Sequence, residues 1–350
     1  MAKRTVVVIG AGIIGCLVAS ELARRDPAAR ITVVDRDGIG SGASRRSAGL
    51  HLLRGATPRT RRMSARSHAY YADLASRLPG APIRQVAATV LSSGPHGGRY
   101  LDLARPAPSV LPHGHGVAAR AGQTAWRIDG CHHADVYALC GAVAAQLRPR
   151  VRFLEGVEVT GLTPRPDSVL VRCGTGQRLA ADAVVLAPGP WLAAPAWRDL
   201  VAPLGLRVKK IVALHVERRP GPGDELVVFD DEDAFLLPLP GRGHWLFSYT
   251  CTEWDVEPDA LTSGLTAANV EEARACLRRY SPALAAVAAA GRVFCDAYSP
   301  DGEPVVRAVD DAGLMVFAGA ANGSGYRLAP AIGSDAAGLL CGPPANPTPT

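Results

Sequence analysis

The chain has 350 residues, of which 48% are hydrophobic and 20% charged, with a formal net charge of +6. This composition describes a folded globular protein with ample core, as one large domain or two intertwined ones. It excludes a membrane span, for which about 20 consecutive apolar residues are needed. It also argues against a nucleic-acid partner, because the basic charge is scattered arginine with no interleaved aromatic residues.

Lys3 and Arg4 run straight into an apolar strand, so no secretory leader is expected. None of the eight cysteines forms a C-x-x-C pair, and the protein is read as cytoplasmic with reduced thiols. Residues 5–9 are β-branched and apolar, as in a strand buried on both faces of a parallel sheet. Gly10-Ala11-Gly12-Ile13-Ile14-Gly15 follows, and then a helix-compatible stretch over 16–24. In this G-x-G-x-x-G unit Gly10 permits the turn, Gly12 lets backbone approach a pyrophosphate, and Gly15 lets helix and strand pack closely. The helix N-terminus then presents free N–H groups to phosphate. A second strand over 31–34 ends at Asp35, twenty residues after Gly15, where a carboxylate would hold ribose hydroxyls and repel a 2′-phosphate. The alternative is a structural βαβ unit without nucleotide; the full context favours a dinucleotide site, with Asp35 and the adjoining Arg36 among its contacts.

Residues 38–49 are rich in glycine and serine, suited to a second contact with a long cofactor through Ser41, Ala43, Ser44, Ser47, Ala48 and Gly49, or else a flexible surface loop. A long helix is expected over 59–78, with Met63, Tyr70, Leu74 and Leu78 inward and the basic run Arg59 to Arg66 as a solvated face. Residues 85–91 read as a strand and 94–125 as loop, with a short helical turn at 101–104. Cys131, His132, His133 and Cys140 suggest a metal, but three adjacent residues cannot converge on one ion and no fourth ligand has zinc spacing. No metal is expected; these residues lead into a helix over 134–147.

Strands at 151–153, 156–162 and 168–172 suggest a β-meander, with Val159 a further cofactor contact. Residues 182–191 read as a buried strand ending in a glycine turn that carries Ala187, Gly189 and Trp191. Alternation marks an antiparallel sheet over 206–217, 226–229, 234–239 and 244–250, followed by helices over 269–280 and 282–290. A buried strand at 313–319 runs into a glycine turn at 320–325. A helix is expected to open near Pro330, a residue favoured in a first turn, before a loose proline-rich tail from 342.

Five blocks in order, Gly10 to Gly15 with Asp35, 41–49, 183–191, Ser299-Pro300-Asp301-Gly302-Glu303-Pro304 and 318–340, resemble the D-amino-acid oxidase family of FAD enzymes, which includes glycine oxidase and monomeric sarcosine oxidase. The resemblance implies an α/β fold: an FAD-binding Rossmann-type, glutathione-reductase-like domain with a second domain of antiparallel β-sheet plus helices for the substrate. The FAD domain would be discontinuous, from 1–80, 130–205 and 295–350, with 81–129 and 206–294 forming the substrate domain. It further implies hydride removal from the carbon beside an amine nitrogen, giving an imine. The C-terminal turn, Gly323, Ser324, Gly325, Tyr326, Arg327 and Leu328, would aim N–H groups at the flavin, where negative charge develops on reduction.

Family substrates are often amino acids held through their carboxylate. Arg327 stands where the sarcosine-oxidase branch has a lysine, and Arg54 matches the spacing of an arginine there. Together they would clamp a carboxylate bidentately, or else both are surface arginines. The chain departs from the pattern in other places. Asp296 falls where relatives have an arginine, and would meet a substrate ammonium or face water. Cys295 is one residue away from a covalent-flavin cysteine, and Arg46 and Ser47 replace a flavin-linking histidine, so noncovalent FAD is expected. Leu246 replaces an oxygen-assisting lysine, favouring a dehydrogenase; Tyr249 would line the pocket or pack in the core. The expected function is therefore oxidation of an amino acid or N-substituted amine, with reoxidation by oxygen or another acceptor. A hydroxy acid or biosynthetic intermediate is the alternative within enzymes, and a flavin-containing RNA-modification or partner-binding module the alternative outside them. Oligomeric state is not legible.

Overall fold

The computed structural model describes residues 3–94, 100, 103–106 and 116–342. Its centre is a six-stranded sheet in the spatial order Val305–Ala308, Met315–Gly319, Ala183–Leu186, Thr5–Ile9, Arg30–Val34 and Val151–Leu154. The strands run parallel except for Val305–Ala308, an antiparallel edge that the sequence reading missed. Val6, Val7, Val8 and Ile9 are all buried, as a strand with partners on both sides and layers on both faces requires. Helices Ile13–Arg25 and Gly325–Cys341 cover one face, sharing a core that contains Val8, Val18, Ala331 and Ile332. Arg25 joins the two helices, donating to the Ser334 carbonyl at 3.0 Å and the Gly342 carbonyl at 2.9 Å. The other face is covered by the antiparallel meander Val159–Arg165, Ser168–Cys173 and Arg178–Ala181. Strand Val151–Leu154 joins the parallel sheet rather than the meander, because Asp35 and Leu154 continue the pairing at its end.

An eight-stranded sheet has the order Ala288–Tyr298, Arg207–Val216, His244–Tyr249, Ala234–Leu239, Leu226–Phe229, Ala88–Ser92, Thr124–Ile128 and Leu103–Pro106. The expected helix over 282–290 stops at Ala286, and an 11-residue strand takes over from Ala288. Pairing along nearly all of Arg207–Val216 outweighs the helical preference of its alanine-rich start. The expected strand at 85–91 splits: Ile83–Gln85 pairs with His132–Ala134, whereas Ala88–Ser92 enters the large sheet. Of the helical turn expected at 101–104, residues 101 and 102 lie outside the described residues and 103–106 form a strand. The proline-rich tail from 343 also lies outside them. Helices Ala267–Arg278 and Pro282–Ala286 close one face of this sheet over Val212, Leu214 and Phe247. The opposite face turns toward the parallel sheet.

The long helix Pro58–Arg77 is capped by Thr57, whose hydroxyl accepts the Thr60 N–H, with Pro58 in the first turn. Met63, Ser67, Tyr71 and Leu74 are its buried stripe, so Tyr71 rather than Tyr70 faces inward. Arg59 pairs with Glu303 and Arg66 with Asp335, which ties part of the basic face to C-terminal segments. The C-terminal helix begins at Gly325, five residues before the expected start, and holds Pro330 inside it. An interior proline leaves the carbonyl four residues back without its helical donor. That carbonyl, on Tyr326, accepts the Tyr71 hydroxyl at 2.6 Å, and the Ala331 N–H turns to Ser67 Oγ at 3.3 Å. No helix is long and apolar enough to cross a membrane among the described residues.

Candidate active site

A cleft of about 1630 Å³, counted out to its open mouth, separates the two large sheets. At one end lie Gly10, Gly12, Ile13 and Ile14. Gly10 has φ +101°, and a Cβ there would sit 2.2 Å from the Ala187 carbonyl oxygen. Gly15 lies behind the wall; a Cβ on it would meet the Gly10 carbonyl oxygen at 1.8 Å, so its part is to let helix and turn touch. The helix opens at Ile13 with Gly12 as an N-cap that supplies no side-chain bond. Ser44 Oγ accepts the Ile13 N–H at 3.0 Å. Asp35 spans the turn, accepting the Ala11 N–H at 2.7 Å on one oxygen and the Asp37 N–H at 2.9 Å on the other. Burial raises its pKa and these two bonds oppose the rise. Each carboxylate oxygen keeps a second acceptor site.

Arg36, Val159, Ala187, Gly189 and Trp191 line the same end. The Arg36 guanidinium lies 4.5 Å over the Trp191 ring and pairs with Asp259, which also accepts the Trp191 indole N–H at 2.8 Å. A segment of the distant chain is thereby strapped across the nucleotide end. The loop with Ser41, Ala43, Ser44, Ser47, Ala48 and Gly49 also lines the cleft. It contains a helical turn, Ala43–Arg46, and is tied down on two sides: the Gly40 N–H bonds the Ala11 carbonyl at 2.9 Å, and Arg46 donates to the Val293 carbonyl at 3.0 Å.

At the other end Gly323, Gly325, Tyr326 and Arg327 form one wall. Ser324, the N-cap of the C-terminal helix, makes no side-chain cap bond and does not line the cleft, and Leu328 packs into the core. Facing this wall are Ile211, Ala213, Phe235, Ser248, Phe294 and Asp296. They alternate with core residues along four strands of the eight-stranded sheet. Arg327 is desolvated, its Nε has no hydrogen-bond partner among the described residues, and burial, followed by the like charge of Arg54, lowers its pKa to about 10. Asp296 is pushed the opposite way, up to about 6 by burial, against the N–H groups of Ala297 and Gly323. The two ends of the polypeptide thus meet around one cleft.

The family model described as DAO, FAD dependent oxidoreductase, matches residues 5–339. The chain belongs to this family. Glycine oxidase from Geobacillus kaustophilus superposes with a TM-score of 0.76 at 19% identity, over 97% of this chain and 95% of that one. L-proline dehydrogenase from P. horikoshii gives 0.77 at 20%, over 97% and 93%. NikD, an amino acid oxidase of nikkomycin biosynthesis, gives 0.74 at 17%, over 96% and 94%. At such identities the likeness establishes the fold. A search of curated proteins gave no significant match.

The residues of this FAD-dependent oxidoreductase fit the cofactor. A Cβ on Gly12 would meet only Ser44 Oγ, which leaves the turn open for a pyrophosphate, and two helix N-termini without an N-cap side-chain bond, at Ile13 and Gly325, open on the same cleft. Not every expected site residue reaches it. Tyr249 is a correction: its neighbour Ser248 faces the cleft, so strand alternation turns Tyr249 to the opposite face, where it packs with Val212 and Phe247 and donates to Glu272 at 2.8 Å. Arg54 stands behind Arg327 rather than in the wall, held by Asp230 at 3.4 Å and Asp233 at 3.6 Å over the Tyr100 ring. Cys295 is buried on the face away from the cleft, one residue from Asp296, and burial pushes its thiol up to about 12. His132 belongs to a stack with His51 and His68, at 4.6 Å and 6.1 Å, and its Nε2 lies 3.1 Å from the Tyr326 hydroxyl. No group of three potential ligands is arranged for a metal ion among the described residues. The sheet-face residues Ile211, Phe235 and Phe294 escaped the sequence reading, because strand register, not alternation within one strand, puts them on the same face as Ser248.

Proposed function

We propose that this FAD-dependent oxidoreductase oxidises the carbon–nitrogen bond of an amino acid or N-substituted amine that carries a carboxylate. The observation that carries the reading is Arg327: a desolvated guanidinium on the cleft wall, its Nε without a partner among the described residues. An incoming carboxylate would offset that burial and accept two parallel N–H bonds. Arg54 supports it from behind as a positioning residue, itself fixed by Asp230 and Asp233. FAD, when bound, supplies the hydride acceptor that converts amine to imine, and oxygen or another acceptor restores it.

Gly10, Gly12, Ser44 and Asp35 would hold the nucleotide, and the N-terminus of the C-terminal helix would face the flavin. The burial of Cys295 away from the cleft, and Arg46 and Ser47 in the loop, support noncovalent attachment. Structural neighbours named for glycine, proline and other amino acids support the substrate class. The test is an anaerobic screen of amino acids, N-methyl amino acids and 2-hydroxy acids for bleaching of the bound flavin, followed by admission of air. Bleaching by an amine-bearing carboxylate is expected. Bleaching by hydroxy acids alone would replace the reading, and return of colour in air would identify oxygen as an acceptor.

A further inference from the structure

Asp296 is a carboxylate on the wall of the cleft, with no ion-pair partner among the described residues. It sits on strand Ala288–Tyr298, flanked on the cleft face by Phe294 and by Ile211 of the neighbouring strand. Its hydrogen-bond partners are peptide groups, the N–H of Ala297 at 3.0 Å and that of Gly323. Among the described residues no arginine, lysine or histidine forms an ion pair with it. Lys209, opposite Asp296 in the strand register, instead places its ammonium 4.9 Å from the Trp254 ring and 5.4 Å from the Tyr298 ring. A desolvated carboxylate without a counter-charge is unfavourable, and a fold that keeps one in a ligand cleft leaves its compensation to the ligand. Asp296 faces the wall that carries Arg327 and touches it at Gly323, about one helical turn before Arg327, so opposite charges stand across one cleft.

We propose that Asp296 anchors the cationic nitrogen of the substrate, so that the cleft selects a zwitterion, with carboxylate on Arg327 and ammonium on Asp296. This assignment rests on the amine-oxidising reading above and adds to it a specificity-determining residue. Substrates acylated at nitrogen, or lacking nitrogen, would forfeit the Asp296 contact while keeping the Arg327 one.

Two probes separate the contacts. The first, 2-methylalanine, carries both charges but has no hydrogen on the carbon beside nitrogen, so it binds without reacting. The second, isobutyrate, has the same skeleton without the nitrogen. Both are titrated into oxidised holoenzyme and followed by perturbation of the flavin absorbance. Wild-type protein should bind 2-methylalanine at least about tenfold more tightly than isobutyrate, the order expected for a desolvated charge pair. Asp296→Asn, nearly isosteric, should bring the two affinities within roughly twofold by weakening 2-methylalanine alone, and Asp296→Glu should restore part of the preference. Equal affinities in the wild type, or a preference that survives Asp296→Asn, would overturn the assignment even if Asp296→Glu proved too unstable to purify. Binding of neither probe would overturn the amino-acid reading itself, and the Asp296 assignment with it. Loss of both affinities in Arg327→Met, with the wild-type preference intact, would uphold the carboxylate half independently.

Discussion

The Tyr71 hydroxyl donates a 2.6 Å hydrogen bond to the Tyr326 carbonyl, the acceptor that Pro330 leaves without a helical donor. The bond fixes the opening turn of the helix that carries Arg327, so a residue on the long helix governs the shape of the cleft wall. Tyr71→Phe leaves that carbonyl buried and unpaired, which should cost about 1–3 kcal/mol. Urea unfolding measures the loss. An unchanged midpoint would show that the turn is held by other contacts.

Gly12→Ala and Gly15→Ala should part ways. A methyl on Gly12 meets only the Ser44 hydroxyl, at 3.3 Å, so that variant should fold but lose colour as the methyl enters the phosphate cradle. On Gly15 it would lie 1.8 Å from a backbone carbonyl oxygen, forcing helix and strand apart. Gly15→Ala should therefore be both colourless and destabilised, as thermal unfolding and flavin-to-protein absorbance together would reveal.

Arg327→Met should raise the concentration of carboxylated substrate needed for half-reduction of the flavin by roughly 10- to 100-fold, the cost of losing a charge-assisted pair. Stability should hold or improve, because a desolvated guanidinium is replaced by a shorter, unbranched apolar side chain. Tyr249→Phe should leave half-reduction unchanged, since its hydroxyl bonds Glu272 on the far face of the sheet. A kinetic defect there would return Tyr249 to the site.

Acid should destabilise the fold through the histidine stack. Burial first, then neighbouring histidines and, for His51, Arg327, lower the pKa of His51 to about 2 and that of His132 to about 4. Both stay neutral in the folded chain while the unfolded chain takes up protons below about 6.5. Their contribution is therefore fully present above pH 6.5 and lost progressively as pH falls toward 4 for His132 and further for His51. At ~1.4 kcal/mol per pH unit, His132 alone accounts for on the order of 3 kcal/mol. Urea midpoints from pH 8 to pH 4 should fall, and His132→Phe should flatten the decline.

What the sequence disclosed and what it hid follow from range. Gly12, Gly15 and Asp35 belong to one continuous strand–helix–strand unit, so spacing within it announced them. The strand Ala288–Tyr298 was hidden because its alanine-rich start looks helical until Arg207–Val216 is known to lie beside it. Tyr249 was misplaced for a related reason: spacing brought the right strand to the cleft, but only the register with Val212 and Phe235 decides which face each residue shows. The C-terminal helix was started late because proline's missing N–H signals a first turn, and only the arrival of Tyr71 from elsewhere allows it inside.

The central strand Thr5–Ile9 lies between Arg30–Val34 and Ala183–Leu186, and the helix above it packs on Gly325–Cys341. During synthesis the glycine turn emerges well before its neighbour Ala187, and the opposite wall of the cleft later still. Flavin capture thus needs segments far apart in the chain: a fragment ending before Gly325 would carry the whole phosphate motif and retain no pigment.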